Sequence, residues 1–496
     1  MKTGLDRFGL AGVLLCVALL LWGCTQPPDP AVIRFGLASA PTTLDPRHAT
    51  DAASARVNRL LYARLVDFDE RMRPVPALAH WVRETPTRYR FVLRADRRPF
   101  SDGRRLTAAD VAATYRYVLD PANGSPHRGS LALIERIEVL DEDSLRFHLN
   151  RADPLFPGYL VIGIVPADAT GDLARRPQGS GPFELVAWPD AGRLRLRRRD
   201  DGQQVELIEV KNATVRALKL RRGEIDLLQN DLDSELIAWL ERQPGIRVER
   251  SRGSNFAYLG FNLEDPVTGQ LKVRQAIARA IDREAIIRYL LAGAARPAGG
   301  LLPPDHWAGN PELTGIEHDP AAARALLAEL GHGPEQPLPL VYKTSSDPFR
   351  IRIATVLQEQ LSRVGFSVAL RSYDWGTFYG DIKAGRFQMY SLAWVGIKTP
   401  DIFRYVFHST SIPPAGANRG RYRDPVTDAL IEAAERAGDL DSQAVLYRKL
   451  QARLLQTLPY VPLWYEDNVL AAREDIAGYR LALDGNHDGL IDIHRR

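Results

Sequence analysis

The stretch that most constrains the fold is residues 252–287, RGSNFAYLGFNLEDPVTGQLKVRQAIARAIDREAII. Phe256, Tyr258 and Gly260 alternate there with Ala257, Leu259 and Phe261, so apolar groups leave the backbone on both faces of a strand. A strand half exposed to water would keep one face polar, and this one predicts burial between two layers. A polar, turn-rich connector follows from Asn262 to Gly269, with Asp265-Pro266 inside it. Val273, Ala276, Ile277, Ala280 and Ile281 then recur at helical spacing. Asp282 is placed to cap a second short helix over residues 283–291, stopped at Gly293. A buried strand that leaves through a turn into a new helical unit predicts a crossing between two lobes near Asn262.

The rest of the chain reads as two textures. Before the crossing, residues 32–37 and 89–93 pattern as strands, residues 52–65 as a helix, and Thr107 caps a helix whose first turn carries Asp110. After it, Asp319-Pro320 opens a helix, and residues 338–342 and 366–370 are strands on either side of a long helix. That order predicts a right-handed crossover and a partly parallel sheet. Two more helices, over 425–436 and 441–458, precede a strand ending near Tyr465 that returns the chain to the first lobe.

At 496 residues two or three domains are expected. The net charge of +4 is small for that length and gives no concentrated basic face, so no nucleic-acid partner is expected. The run Arg195-Leu196-Arg197-Arg198-Arg199 reads as a solvated strand edge. At the start, Lys2 and Arg7 precede an apolar run, Phe8 to Trp22, too short to span a membrane. Leu21-Trp22-Gly23-Cys24 resembles a bacterial lipoprotein box, with a plain signal peptide or a single anchor helix as alternatives. Cys16 would leave with the leader, so Cys24 would be the only mature thiol, without an internal disulfide and at the position for lipidation. The Pro-rich segment behind it suits a tether. The protein is therefore expected in the periplasm or cell envelope, lipid-anchored.

Several segments together carry a family resemblance. YLGFN followed by VRQAIARAIDREAII resembles the lobe crossover of the extracytoplasmic solute-binding proteins of family 5, the receptors of peptide-type ABC importers. TTLDPRHATD, YRFVLRADRRPFSDGRRLTAADV and YRYVLDP resemble the first lobe of that family; Gln178 to Phe183 and Arg216 to Asp226 resemble further steps in it. The likeness spans most of residues 32–480. It implies an α/β two-lobe periplasmic-binding-protein fold of type II, in the large cluster with an extra subdomain, built of mixed sheets flanked by helices with two hinge crossovers, near Asn262 and Tyr465. The expected division is a leader over 1–23, a tether over 24–30, a first lobe over 31–262 with the extra subdomain at about 50–177, a second lobe over 263–467, and a return to the first lobe over 468–496. The implied function is capture of a peptide or peptide-like solute, by a monomer, for an inner-membrane permease with ATPase subunits.

No catalytic constellation interrupts this reading. The chain lacks a Gly-x-Ser-x-Gly elbow, a phosphate loop and a His-Glu-x-x-His pair, so no enzyme activity is expected. A membrane-anchored hydrolase of cell-wall peptides and a sensory or scaffold lipoprotein are the alternatives. Asp484, Asn486, Asp488 and Gly489 copy an EF-hand opening, but Arg495 stands where the closing carboxylate belongs. The segment reads as a terminal turn, and neither metal nor cofactor is expected.

The ligand-contacting stretch is expected between Phe387 and Tyr422. Trp394 ends a strand and can stack on a solute, while Lys398, Asn418, Arg419 and Tyr422 can fix its polar groups. The alternative puts Trp394 in the core and Arg419 on the surface. Peptide receptors of similar sequence follow this Trp with an Asp that pairs with the peptide's amino terminus; Ile397 stands there instead. Asp401 is the nearest acid beyond it, and Asp374 and Trp375 are further candidates for ligand contact. A longer peptide, a modified peptide and a non-peptide solute all stay open.

Overall fold

The computed structural model describes residues 31–169 and 171–496. The expected leader, Cys24 and tether lie outside the described residues. Among the described residues no helix is long and apolar enough to cross a membrane.

An eleven-stranded mixed sheet runs through the whole molecule. In spatial order its strands are Phe366–Tyr373, Leu338–Ser345, Met389–Trp394, Ile246–Phe261, Tyr460–Arg473, Leu227–Gln229, Val32–Leu37, Gln204–Glu209, Arg193–Arg198 and Phe183–Asp190, and Ala295–Pro297 pairs with Tyr460–Arg473 besides. Leu338–Ser345 is parallel to Phe366–Tyr373, joined through the helix Pro348–Ser362, as the strand–helix–strand pattern predicts.

Two long antiparallel strands, Ile246–Phe261 and Tyr460–Arg473, belong to both lobes. Their pairing slips between Ser251, opposite Asn468, and Asn255, opposite Glu466. On one side of that bulge Leu227–Gln229 continues the first lobe's sheet; on the other Met389–Trp394 continues the second's. The lobes therefore part at residues 252–254 and 466–468. The second crossing falls beside the expected Tyr465. The first comes well before Asn262, because the strand does not end where the lobe changes: Phe256 to Phe261 is already a strand of the second lobe.

That half-strand is buried on both faces. Phe256 and Tyr258 join one core with Tyr390 and Tyr465, while Ala257, Leu259 and Phe261 join another with Ile277, Leu340 and Leu357. Full burial of each such large side chain contributes about 1.5–3 kcal/mol. Gly260 breaks the apolar alternation because a Cβ there would lie 2.4 Å from the Tyr390 ring. Helices Leu271–Ala280, Pro320–Ala328 and Pro348–Ser362 cover the face of Ala257, Leu259 and Phe261, and Trp375–Ala384, Pro425–Arg436 and Leu440–Thr457 the face of Phe256 and Tyr258.

In the first lobe, helix Ala52–Leu61 starts at Asp51, whose side chain accepts from the Ser54 N–H at 2.8 Å. Its end is crossed by the Gln178 to Phe183 segment at a distance only glycine permits: a Cβ on Gly179 would lie 1.9 Å from the Leu61 carbonyl oxygen. A separate four-stranded antiparallel sheet, Ala79–Thr85, Arg88–Leu93, Ser144–Leu149 and Ile134–Val139, packs under helix Ala108–Leu119 around Phe91, Tyr115 and Phe147. It has its own core, as an extra subdomain should.

Two buried arginines staple loops to this frame without carboxylate partners. Arg274 donates to the carbonyls of Thr268, Gly269, Thr457 and Leu458, tying the connector to the last turn of Leu440–Thr457. Arg283 does the same for Pro462, Ala278, Ile281 and Ile316. Arg198, expected on a solvated edge, is buried as well: the C-terminal segment packs over it, and it donates to the carbonyls of Leu490, Ile491 and Ile493 while pairing with Asp201.

Candidate functional site

Strand Met389–Trp394 is held centrally by Ile246–Phe261, with Trp394 opposite Phe256, and it delivers Trp394 to the gap between the lobes. Gly396, at φ +69°, turns the chain sharply there, and Ile402–Phe407 is the next helix. The turn between them forms one wall of a cavity of about 390 Å³, within the usual range for small-solute sites. Trp394, Ile397 and Tyr405 line it from the second lobe; Phe68, Tyr159 and Val161 line it from the first. Its polar groups are few: Ser130, Lys398, Thr399 and Asp401. The lobes come close here, since a Cβ on Gly158 would lie 3.4 Å from Thr399.

A second cavity, of about 190 Å³, adjoins the first at Val395. Trp375 lines it, 58% exposed and with its ring stacked on Tyr379 at 5.3 Å. Thr344, Ser345, Ser391 and Arg350 supply its polar wall. Arg350 stands in the first turn of Pro348–Ser362, whose end Asp347 caps, and its Nη1 lies 3.4 Å from Glu466 Oε1, so an anionic group there would compete with Glu466 for the guanidinium. The cavity forms where three strand ends and that helix meet, so no single stretch of sequence announced it.

The charged groups of the first cavity are already engaged. Lys398 Nζ lies 2.7 Å from Asp484 Oδ2, a residue of the C-terminal segment seated on the first lobe. Burial pulls the Lys398 ammonium below the usual lysine range, against the opposing pull of Asp484. The EF-hand-like stretch thus spends its acids on cations: Asp484 on Lys398 and Asp488 on Arg59. Among the described residues no group of acids, histidines or cysteines is placed to hold a metal. Asp401 stands exposed at the rim, where the protein around its carboxylate raises its pKa, and it accepts from Thr399 Oγ1 at 2.5 Å. His306 is buried too; the Ala308 N–H donates to its Nδ1 at 3.0 Å, so Nε2 carries the proton donated to the Lys398 carbonyl at 2.9 Å. Burial lowers its pKa to about 4, consistent with that neutral ring.

The other expected contacts sit differently. Arg419 is 7% exposed and lies behind Trp394, with its guanidinium 4.9 Å from the indole centroid. Its Nη1 donates to Tyr258 Oη at 3.2 Å and its Nη2 to Tyr379 Oη at 3.0 Å, so it buttresses the tryptophan and does not face the cavity. Asn418 and Tyr422 do not line it either. The Asn418 amide donates to the carbonyls of His408 and Tyr422 and accepts from the Tyr422 N–H, and the Tyr422 hydroxyl sits between Thr457 and Asp424, so their polar atoms hold the loop together. Asp374 is an exposed helix cap that accepts from the Thr377 N–H at 3.1 Å, and that hydrogen bonding lowers its pKa. The first-lobe wall of Phe68, Tyr159 and Val161 escaped sequence reasoning altogether; the only local trace was an aromatic in the Pro157-Gly158-Tyr159 turn.

Two α/β lobes linked by two strands, with a solute-sized cavity between them, define a two-lobe binding protein of the periplasmic type. The match to the family model for bacterial extracellular solute-binding proteins, family 5, over residues 71–413, is consistent with that architecture. The chain belongs to this family. It is 26% identical over 487 residues to a dipeptide-binding protein of Pseudomonas aeruginosa, covering 89% of this chain and 91% of that protein. It is likewise 26% identical over 493 residues to heme-binding protein A of Haemophilus influenzae, covering 89% of this chain and 88% of that protein. The structure of the Helicobacter pylori periplasmic binding protein DppA in complex with peptide STSA superposes with a TM-score of 0.76 at 26% identity, covering 94% of this chain and 98% of that one.

Proposed function

We propose that the protein is a lipid-anchored receptor of the periplasm or cell envelope that closes on a peptide or peptide-like solute and passes it to an ABC-type importer. The observation that carries this reading is the first cavity, walled by aromatic and aliphatic side chains from both lobes, so that a solute seated there touches both at once. A relative named as a dipeptide-binding protein and a solved relative in complex with the peptide STSA support a peptide-like solute. The adjoining polar cavity with Arg350 can take an anionic end of the solute in competition with Glu466, and Trp394 stacks on its body. The register break at residues 251–255 serves as the hinge, because the ladder between the two long strands is interrupted there. A family of solute receptors leaves the hydrolase reading without support. Mass spectrometry of small molecules released from the purified protein tests the proposal. Recovery of one peptide-like compound at near-stoichiometric yield is expected; release of fragments from an added peptide library would overturn it in favour of an enzyme.

A further inference from the structure

Charges from opposite lobes meet across the first cavity and are complete without a third party. Lys398, on the second lobe's turn, reaches Asp484 of the C-terminal segment at 2.7 Å, with side-chain exposures of 23% and 9%. Asp484 is fixed to the first lobe: the neighbouring Gly485 carbonyl accepts from Gln229, and the Leu483 carbonyl accepts from Asn468. Behind Asp484 stand Arg59, paired with Asp67 at 3.2 Å and with Asp488, and Arg64, paired with Asp67 at 2.6 Å. Three cations thus face three carboxylates, and only Lys398 comes from the other lobe. The same turn is held from its own side, where His306 donates to the Lys398 carbonyl. The next residue, Trp307, crosses the gap with its backbone N–H 2.9 Å from the Arg71 carbonyl oxygen.

We propose that Lys398 is an internal latch: its ammonium supplies to Asp484 the cross-cleft charge contact that a solute cation would otherwise make, so the lobes close with less help from the solute, and the part of the solute against this wall is uncharged. The second clause rests on the cavity being the solute site; the first does not. If the lobes part, Asp484 loses Lys398, whereas Asp67 and Asp488 keep Arg59 and Arg64 on their own lobe. The pair is therefore a contact made only in the closed form, which is the kind of contact that shifts an open–closed equilibrium. A solute ammonium at this wall would meet Lys398, and a solute carboxylate would have to displace Asp484 from Lys398, so neither charge is welcome.

The test needs no solute. Protein stripped of bound small molecules by unfolding and refolding is compared by small-angle scattering as wild type, Lys398→Met, Asp484→Asn and the double variant, with circular dichroism confirming that each is folded. The expected result is a wild-type radius of gyration close to that of the closed structure, a larger radius in both single variants, and no further increase in the double variant, since one contact is lost in each. Equal radii for wild type and Lys398→Met would overturn the latch. A solute search that fails by mass spectrometry would remove the receptor reading and leave this result standing.

Discussion

At the scale of single residues, Trp394 links the strand that positions it, the arginine that stiffens it and the cavity it walls. Trp394→Ala should weaken binding of the released solute by about 2 kcal/mol or more, read by calorimetry, with the fold intact; an unchanged affinity would take the indole off the binding surface. Ile397 contributes no charge beside it, Asp401 is bonded to Thr399, and Lys398 is spent on Asp484. Acetylating the amino terminus of a bound peptide should therefore change its affinity by less than tenfold, about 1.4 kcal/mol. A larger loss would mean that an acid of the cavity accepts the amine after all. His306 makes a separate prediction about pH. Its folded pKa, about 4, lies below the ordinary value of 6.5, so between those values the unfolded chain binds the extra proton. The stability it contributes is complete above pH 6.5 and is lost as pH falls toward 4. Denaturant titrations should show wild type losing about 2 kcal/mol from this group between pH 7 and pH 5, a loss missing from His306→Gln. Equal pH slopes in the two proteins would contradict it.

At the scale of elements, the arginines that bind only carbonyls explain how irregular segments are kept in place. Arg274 leaves helix Leu271–Ala280 and satisfies four carbonyl oxygens of a connector and a helix end. Arg274→Met keeps the bulk of the stem and removes every donor. It should cost about 3 kcal/mol in urea unfolding, because buried carbonyls would lose their partners. A change within about 0.5 kcal/mol would show that water replaces the guanidinium. The bulge at residues 251–255 works in the opposite sense, as the place where the ladder between the two longest strands is interrupted and bending costs least.

At the scale of the whole molecule, one sheet shared by two lobes leaves the cavity as the place where relative motion is felt. Delivery to a membrane transporter also needs the receptor to stay near the membrane, and that role is proposed for Cys24. Cys24→Ala should move the protein from the membrane fraction to the soluble envelope fraction without altering its melting temperature. Retention on the membrane after an alkaline wash would favour an uncleaved anchor helix.

The resemblance of its motifs pointed to a two-lobe family, and local pattern determined the strand buried on both faces, the helices with their Asp caps and the parallel unit around Pro348–Ser362. These depend on side-chain alternation, helical spacing and capping, which are properties of neighbours in sequence. Tertiary structure decided the rest. The lobe boundary lies at residues 252–254 because a strand carries no mark where its pairing partners change. Arg198 is buried because a segment almost 300 residues further on covers it. Asn418, Tyr422 and Arg419 turn inward, and Phe68 and Tyr159 face the cavity, because a binding surface between lobes is assembled from contacts at long range, where single-chain periodicity has no reach. The same holds for Lys398 and Asp484: the sequence shows a lysine in a turn and an acid in a calcium-like stretch, and only the folded chain brings the two charges within 2.7 Å.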